Sequence, residues 1–170
     1  MEQLKMSRGN EKCTPIQLPD GYSIRSYKPG DGVGWCKCCI EGGLGIEEIS
    51  QAVFATKMLE DPTVKPENIY FLISPSGDIA GTVTYQHTSD SNTGCIHMVA
   101  IEKSYQGKGL AAPLNMYAVQ KMLDDGKKRI ILQTDDWRIP AIKTYLRIGF
   151  APEIKDAEME SRWGKILQVT

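Results

Sequence analysis

An apolar run followed by a glycine-rich loop, CIHMVAIEKSYQGKGLAA at residues 95–112, most limits what this chain can fold into. Val and Ile alternate over residues 96–101, which predicts a buried strand. A helix is predicted to begin near Leu110, just after Gly107 and Gly109. Glycines let the backbone approach a ligand closely, and the free N–H groups in the first turn of a helix attract anions. The segment therefore predicts a binding site for a phosphate or a pyrophosphate.

Two common phosphate-binding loops fit this segment poorly. The Walker pattern requires Ser or Thr after its lysine to bind Mg²⁺, and Lys108 is followed by Gly109. The dinucleotide fingerprint requires three glycines. Gly107 and Gly109 can be the first two, but Ala112 occupies the third position. An ATP- or NAD-binding enzyme is therefore disfavoured.

The loop instead resembles the pyrophosphate loop of the GNAT superfamily of acetyl-CoA-dependent N-acetyltransferases. The superfamily pattern is Arg/Gln-x-x-Gly-x-Gly/Ala, and Gln106, Gly109 and Ala111 match it after a Val-Ala-Ile strand. The resemblance implies that the loop holds the diphosphate of acetyl-CoA through its backbone N–H groups.

A second segment, TDDWRIPAIKTYLRIGF, resembles the other landmark of the superfamily, Asn-x-x-Ala-x-x-x-Tyr-x-x-x-Gly-Phe. Ala141, Tyr145, Gly149 and Phe150 stand at the matching positions. Arg138 occupies the position where the family usually has Asn, which contacts the pantetheine arm. The guanidinium of Arg138 can reach a phosphate or a carboxylate, because its geometry forks onto either group. A solvated arginine at a helix N-terminus is the alternative.

The resemblance covers residues 22–150 and implies an α/β (α+β) fold. Its sheet is mixed, mostly antiparallel and six- to seven-stranded, with flanking helices, and its splayed central strands open a cleft for the cofactor. Residues 156–167 are helix-like, so the sequence leaves the C-terminal end of the sheet undefined. Residues 1–18 are predicted to be a partly flexible lead-in, and residues 19–170 a single N-acetyltransferase domain.

The resemblance also implies which residues bind acetyl-CoA, the expected co-substrate. The main chain of the family's fourth strand orients the pantetheine arm, and the loop holds the nucleotide end. The predicted cofactor-binding residues are Val99, Ala100, Ile101, Gln106, Gly107, Lys108, Gly109, Leu110, Ala111, Ala112 and Arg138.

Two residues are predicted to move protons during acetyl transfer. Tyr145 occupies the position of the family's general acid, and a phenol is protonated at neutral pH. His97 lies on the strand before the loop and would share a side with Val99 if alternation is regular. It can act as the base directly or through water, although a packed, hydrogen-bonded histidine is an equal alternative. Glu102 and His87 are weaker candidates for the base.

The acceptor is expected to be a primary amine of a small molecule or peptide. It would enter between the first helices, where Trp35, Glu41, Glu47 and Glu48 could favour a cationic amine. The alternative function is a non-catalytic sensor or scaffold that binds acyl-CoA. Because dimers are frequent in the superfamily, a homodimer is one open arrangement.

Charge and hydropathy exclude several classes of partner. Twenty basic and twenty-one acidic residues give a formal net charge of −1, so no global field favours nucleic acid or an anionic membrane. No apolar run reaches the roughly 18 residues that span a bilayer, and the polar N-terminus lacks the apolar core of a signal peptide. We therefore expect a cytoplasmic protein with neither nucleic acid nor membrane as a partner.

Five cysteines raise the alternative of a metal site, since Cys36, Cys38 and Cys39 are clustered. The cluster lacks the second half of a zinc site. On a helix, Cys36 and Cys39 would share a face, where small side chains pack well. The sequence therefore predicts reduced thiols and no bound metal.

Overall fold

A mixed sheet runs through the centre of the computed structural model, which describes residues 2–12 and 14–170. Its seven strands lie in the order β2-β3-β4-β5-β6-β1-β7. Every neighbouring pair is antiparallel except β5 and β6, which confirms the predicted mostly antiparallel sheet. The strands are β1 Leu4–Gly9, β2 Ser23–Ser26, β3 Val64–Ile73, β4 Ile79–His87, β5 Thr93–Ile101, β6 Arg129–Thr134 and β7 Ala151–Pro152.

Helices cover both faces of the sheet and divide the core into two clusters. Trp35 and Phe54 pack on one face with the buried Phe71 of β3, and Leu114 and Trp163 pack on the other. Burial of each large apolar side chain stabilises the fold by about 1.5–3 kcal/mol. The helices are α1 Gly32–Glu41, α2 Gln51–Phe54 with a π-helical extension Ala55–Leu59, the 3₁₀ turn Lys103–Tyr105, α3 Ala111–Asp124, α4 Ile139–Arg147 and α5 Ala157–Leu167. Within the described residues, no helix has the length and apolarity that crossing a membrane requires.

Leu4–Gly9 form a strand of the sheet, so this part of residues 1–18 is not the partly flexible lead-in that was predicted. β1 lies between β6 and β7 and is antiparallel to both. Its Leu4 and Met6 side chains are fully buried. Arg8 also points inward, where its guanidinium donates to the carbonyl oxygen of Ile148 at 2.8 Å. β1 and β7 therefore supply the end of the sheet that the sequence left undefined.

The central strands β5 and β6 separate as predicted. They pair in parallel from Thr93 to Ile96 only, and β5 then continues to Ile101 without a partner on that side. A bulge interrupts the same strand, because one residue of β4 faces both Met98 and Val99. Met98 has a φ of 50°, which is uncommon for a residue with a side chain. The divergence opens the space in which the candidate site lies.

The cysteine cluster is packed in the core. Cys36, Cys38 and Cys39 are all buried in α1, and burial raises the pKa of the Cys38 thiol to about 12. In the described residues, no three or more His, Cys, Asp and Glu side chains are grouped so that they could hold a metal ion. The fifth cysteine, Cys13, lies outside the described residues.

Candidate active site

A cleft of about 720 Å³ occupies the gap where β5 and β6 separate. One wall is the end of β5, another is the loop that leads into α3, and a third is α4. Ten of the eleven residues predicted to bind the cofactor line this cleft. These are Val99, Ala100, Ile101, Gln106, Gly107, Gly109, Leu110, Ala111, Ala112 and Arg138.

The loop before α3 presents free N–H groups to the cleft. Gly107 and Gly109 have φ values of 75° and 74°, a conformation that glycine adopts without strain. Between Gly107 and Ala112, no backbone N–H in the described chain donates to a protein acceptor. The Gln106 side chain fixes the loop by donating to the carbonyl oxygen of Ile101 at 2.9 Å. Such an array at a helix N-terminus can bind a diphosphate.

The cations around the cleft differ from those predicted. Lys108 does not line it, since the Lys108 ammonium lies 5.0 Å from the centre of the Tyr105 ring. Instead, α4 contributes Lys143 and Arg147, which are both exposed and one helical turn apart. Their i, i+4 spacing could have identified them, but only once α4 was known to border the cleft.

Asn115 on α3 is a further polar residue in the wall of the cleft, and the sequence prediction missed it. Its side chain is 1% exposed, and its amide nitrogen donates to the carbonyl oxygen of Ala111 at 2.8 Å. The side-chain carbonyl oxygen has no hydrogen-bond partner within the described residues. A buried oxygen without a donor costs about 1–3 kcal/mol, so it is available to a donor on a ligand.

A second cavity of about 450 Å³ lies beside the first. Three residues, Val99, Arg138 and Tyr145, line both cavities. The other residues around the second cavity are mostly polar and come from β4, β5, β6, the N-terminus and the loop after α1. They are Gln3, Gly43, Leu44, Gly45, Gln86, Cys95, Ile96, His97, Met98, Gln133, Thr134 and Asp135. A ligand in one cavity can therefore meet a ligand in the other at the wall that contains Tyr145.

The hydroxyl of Tyr145 is free in this shared wall. The residue is 5% exposed, and its ring packs edge-on against Phe150. The hydroxyl makes no hydrogen bond within the described part of the chain. Burial raises the pKa of Tyr145 to about 12, and the nearby Arg138 guanidinium opposes this rise. The phenol is therefore protonated at neutral pH and able to donate.

His97 lines the second cavity but not the first. Burial lowers its pKa below the usual 6.5, and the charge of Asp61 partly opposes that shift. The imidazole is therefore neutral at pH 7 and able to accept a proton. The predicted regular alternation, which would put His97 on the same side as Val99, is interrupted by the bulge. Both residues nevertheless border the second cavity.

The weaker candidates for the base have other roles in the structure. The Glu102 carboxylate caps the 3₁₀ turn by accepting from Ser104 and forms an ion pair with Lys37. Nearby Asn68 contacts the imidazole of His87 at 3.1 Å. Neither Glu102 nor His87 lines either cavity.

The residues predicted to attract the acceptor do not form a site. Trp35 is fully buried in the core. Glu41 borders the first cavity, and the Glu41 carboxylate accepts from the Lys103 N–H at 2.6 Å. Glu47 and Glu48 line neither cavity. The second cavity has its carboxylate at Asp135, which follows β6 and was not predicted.

Comparisons with known proteins agree with this geometry. A family model described as the acetyltransferase (GNAT) family matches residues 44–150. The chain belongs to the acetyltransferase (GNAT) family. The predicted superfamily is therefore confirmed, and the family is one of acyltransferases.

Two curated relatives of this GNAT chain are named mycothiol acetyltransferases. It is 26% identical over 156 residues to a mycothiol acetyltransferase from Arthrobacter sp. (strain FB24), covering 87% of this chain and 48% of the relative. A mycothiol acetyltransferase from Thermomonospora curvata is 24% identical over 164 residues, which cover 94% of this chain and 54% of that relative. The chain thus spans about half the length of the curated relatives that it matches.

A solved structure supports the GNAT fold. The GCN5-related N-acetyltransferase from Sphaerobacter thermophilus superposes with a TM-score of 0.71 at 21% identity. The superposition covers 89% of this chain and 48% of that one. At this identity the likeness bears on the fold alone.

Proposed function

We propose that this chain transfers an acetyl group from acetyl-CoA to a primary amine of a small molecule or peptide by direct attack. The supporting observation is the position of Tyr145, whose free hydroxyl lies in the wall shared by the two cavities. The larger cavity takes acetyl-CoA and the smaller takes the amine. The relatives reported above are named mycothiol acetyltransferases, and the acceptor of this chain is part of the proposal.

The cofactor is held at two ends of the larger cleft. The N–H groups from Gly107 to Ala112 bind the diphosphate, and Lys143 and Arg147 add positive charge for phosphate oxygens. The end of β5 has no partner strand on the cleft side, so its main chain can bind the amide groups of the pantetheine arm. This alignment places the thioester near Tyr145, and positioning of this kind can contribute several kcal/mol.

The chemistry then requires three proton transfers. The bound ammonium first loses a proton to His97, directly or through water, because the neutral imidazole is the major form at pH 7. The neutral nitrogen then forms a bond to the acetyl carbon, the carbon–sulfur bond breaks, and the second proton on nitrogen passes to solvent as the amide forms. The departing thiolate takes a proton from the Tyr145 hydroxyl. Acetyl-amine and CoA are released, and both residues recover their protonation states by exchange with solvent.

Release of free CoA thiol from acetyl-CoA, measured across a panel of amines, tests this function. We expect Tyr145→Phe to lower kcat about 10²-fold or more, with the affinity for acetyl-CoA unchanged. Tyr117→Phe is the matched control. Tyr117 lies on α3, packs against Tyr70 of β3 and lines neither cavity. An unchanged kcat in Tyr145→Phe would refute the role of the phenol. Binding of acetyl-CoA with no thiol release for any amine would instead favour the non-catalytic sensor.

A further inference from the structure

Arg138 carries a positive charge that the protein does not neutralise. In the described residues its guanidinium makes no hydrogen bond and no ion pair. Its only ring contact is with the exposed Trp137, whose centre lies 5.6 Å away. Arg162 of α5, by contrast, is paired with Asp136. Arg138 is therefore free to bind an anionic group of a ligand.

The location of Arg138 limits which ligand that is. The residue lines both cavities, as Tyr145 does, and its charge acts on the Tyr145 phenol. The exposed cations Lys143 and Arg147 border the cofactor cleft only. Arg138 is thus the arginine of the second cavity, and it lies beside the group that we place next to the thioester.

The second cavity also holds an unneutralised negative charge. Asp135 forms no ion pair in the described chain, and its carboxylate accepts only from the Gln3 amide, at 3.1 Å. Asp135 and Arg138 face the same cavity without pairing with each other through their side chains. Two opposite charges held apart in one small cavity complement a ligand that carries both charges.

From these charges we propose that the acceptor is a free α-amino acid, whose carboxylate binds Arg138 and whose ammonium is attracted by Asp135. The inference rests on the proposed function, which requires the reacting nitrogen to lie near Tyr145. Because Arg138 and Tyr145 share this wall, the anionic group and the reacting nitrogen must belong to a ligand compact enough to fit one cavity of about 450 Å³. A carboxylate on the adjacent carbon meets this condition, and a guanidinium binds a carboxylate in bidentate geometry.

The test compares each of the standard amino acids with its α-carboxamide as a ligand of the CoA-saturated enzyme. CoA without its acetyl group fills the cleft but allows no reaction, so calorimetry measures binding alone. We expect at least one free acid to bind about tenfold or more tightly than its amide, as a charged hydrogen bond would give. Equal binding of acid and amide, or no measurable binding of any free acid, would overturn the proposal.

Variants assign the preference to a residue. Arg138→Gln should abolish the difference in affinity between the free acid and its amide. Arg138→Lys should retain part of that difference, because a lysine keeps the charge but cannot make the bidentate hydrogen bonds. Arg147→Gln is the matched control: it should weaken acetyl-CoA binding and leave the ratio of acid to amide unchanged. If Arg138→Gln weakens acetyl-CoA as Arg147→Gln does and leaves that ratio intact, Arg138 belongs to the cofactor and the inference is wrong.

The outcome also separates this inference from the proposed function. Thiol release with amines that lack a carboxylate, at rates matching those of free amino acids, would sustain acetyl transfer and overturn the amino acid acceptor. Arg138-dependent binding of free acids with no thiol release would sustain the carboxylate site and overturn acetyl transfer.

Discussion

At the scale of single residues, Asn115 should separate protein stability from cofactor binding. Its side-chain carbonyl oxygen has no partner, which lowers the stability of the ligand-free protein, and we expect it to accept from a donor on the bound cofactor. We expect Asn115→Leu to raise the free energy of unfolding in urea by about 1 kcal/mol. The same change should reduce the thermal stabilisation that acetyl-CoA provides.

Thr84→Val is the matched control for that experiment. The Thr84 hydroxyl is also buried without a partner, but Thr84 lines neither cavity. Its replacement by the isosteric valine should stabilise the protein and leave the acetyl-CoA effect unchanged. A normal acetyl-CoA response in Asn115→Leu would contradict the assignment of this oxygen to the cofactor.

The second prediction at this scale concerns pH. His97 must be neutral to accept a proton, and burial lowers its pKa below 6.5. We therefore expect kcat/KM for acetyl-CoA to decrease as the pH is lowered, and the midpoint of this acidic limb to lie below pH 6.5. Asp61 raises the pKa of His97, so Asp61→Asn should move this limb to still lower pH. His97→Gln should remove it, and a limb that survives in that variant would assign the base to another group.

Residue-level features were only partly predictable from the sequence. Motif spacing predicts Tyr145 and the loop glycines Gly107 and Gly109, and the structure brings them to one cleft. Arg138 was found as a departure from a motif, but its freedom from any partner depends on the fold. Asn115 and Asp135 carry no local pattern, because their importance arises from what surrounds them in space.

At the scale of elements, the loop before α3 should tolerate little change in its backbone. A Cβ at Gly109 would meet no heavy atom within 4 Å, so the cost of Gly109→Ala comes from its φ of 74°. We expect a loss of about 1 kcal/mol in the free energy of unfolding. Acetyl-CoA should also bind more weakly, because the amides that face the diphosphate are displaced.

Gly126 provides the matched control for that element. It has a φ of 79° and equally open space, but it follows α3 at the end remote from the loop and lines neither cavity. Gly126→Ala should lose similar stability and keep its affinity for acetyl-CoA in calorimetry. Equal affinities in Gly109→Ala and Gly126→Ala would refute the diphosphate site.

Most elements could be predicted because their signals are local. The sequence predicted the turn at residues 75–78, and Gly77 has the positive φ that such a turn uses. Ser50 was predicted to cap the second helix, and its hydroxyl accepts from the Ala52 N–H at 3.2 Å. The π-helical extension after Phe54 and the bulge at Met98 were missed. Both depend on packing against distant parts of the chain.

At the scale of the whole molecule, β1 is the element that sequence patterns conceal. The side chains of Leu4, Met6 and Arg8 face inward in alternation. Because one of these three is a charged arginine, the sequence does not show the regular apolar alternation of a strand. Its partner strand β6 lies more than a hundred residues away, as the Ser7–Ile131 pair illustrates. Pairing at such separation leaves no local trace, so the segment resembled a flexible lead-in.

The position of β1 predicts a strong effect of mutations near the N-terminus. Met6 is fully buried between β6 and β7, so Met6→Ala should lower the free energy of unfolding by about 2–5 kcal/mol. The neighbouring Lys5 is exposed, and Lys5→Ala should change the free energy of unfolding by less than about 0.5 kcal/mol. Urea denaturation measures both values. Similar, small losses in the two variants would mean that the segment does not belong to the sheet in solution.

Acetyl transfer by the proposed route requires acetyl-CoA to lie across the gap between β5 and α4. A crystal structure of the complex with acetyl-CoA tests this most directly. We predict the diphosphate against the N–H groups of Gly107–Ala112 and the thioester sulfur within hydrogen-bond reach of the Tyr145 hydroxyl. A cofactor bound elsewhere, or a sulfur on the far side of β5 from Tyr145, would contradict the proposed function.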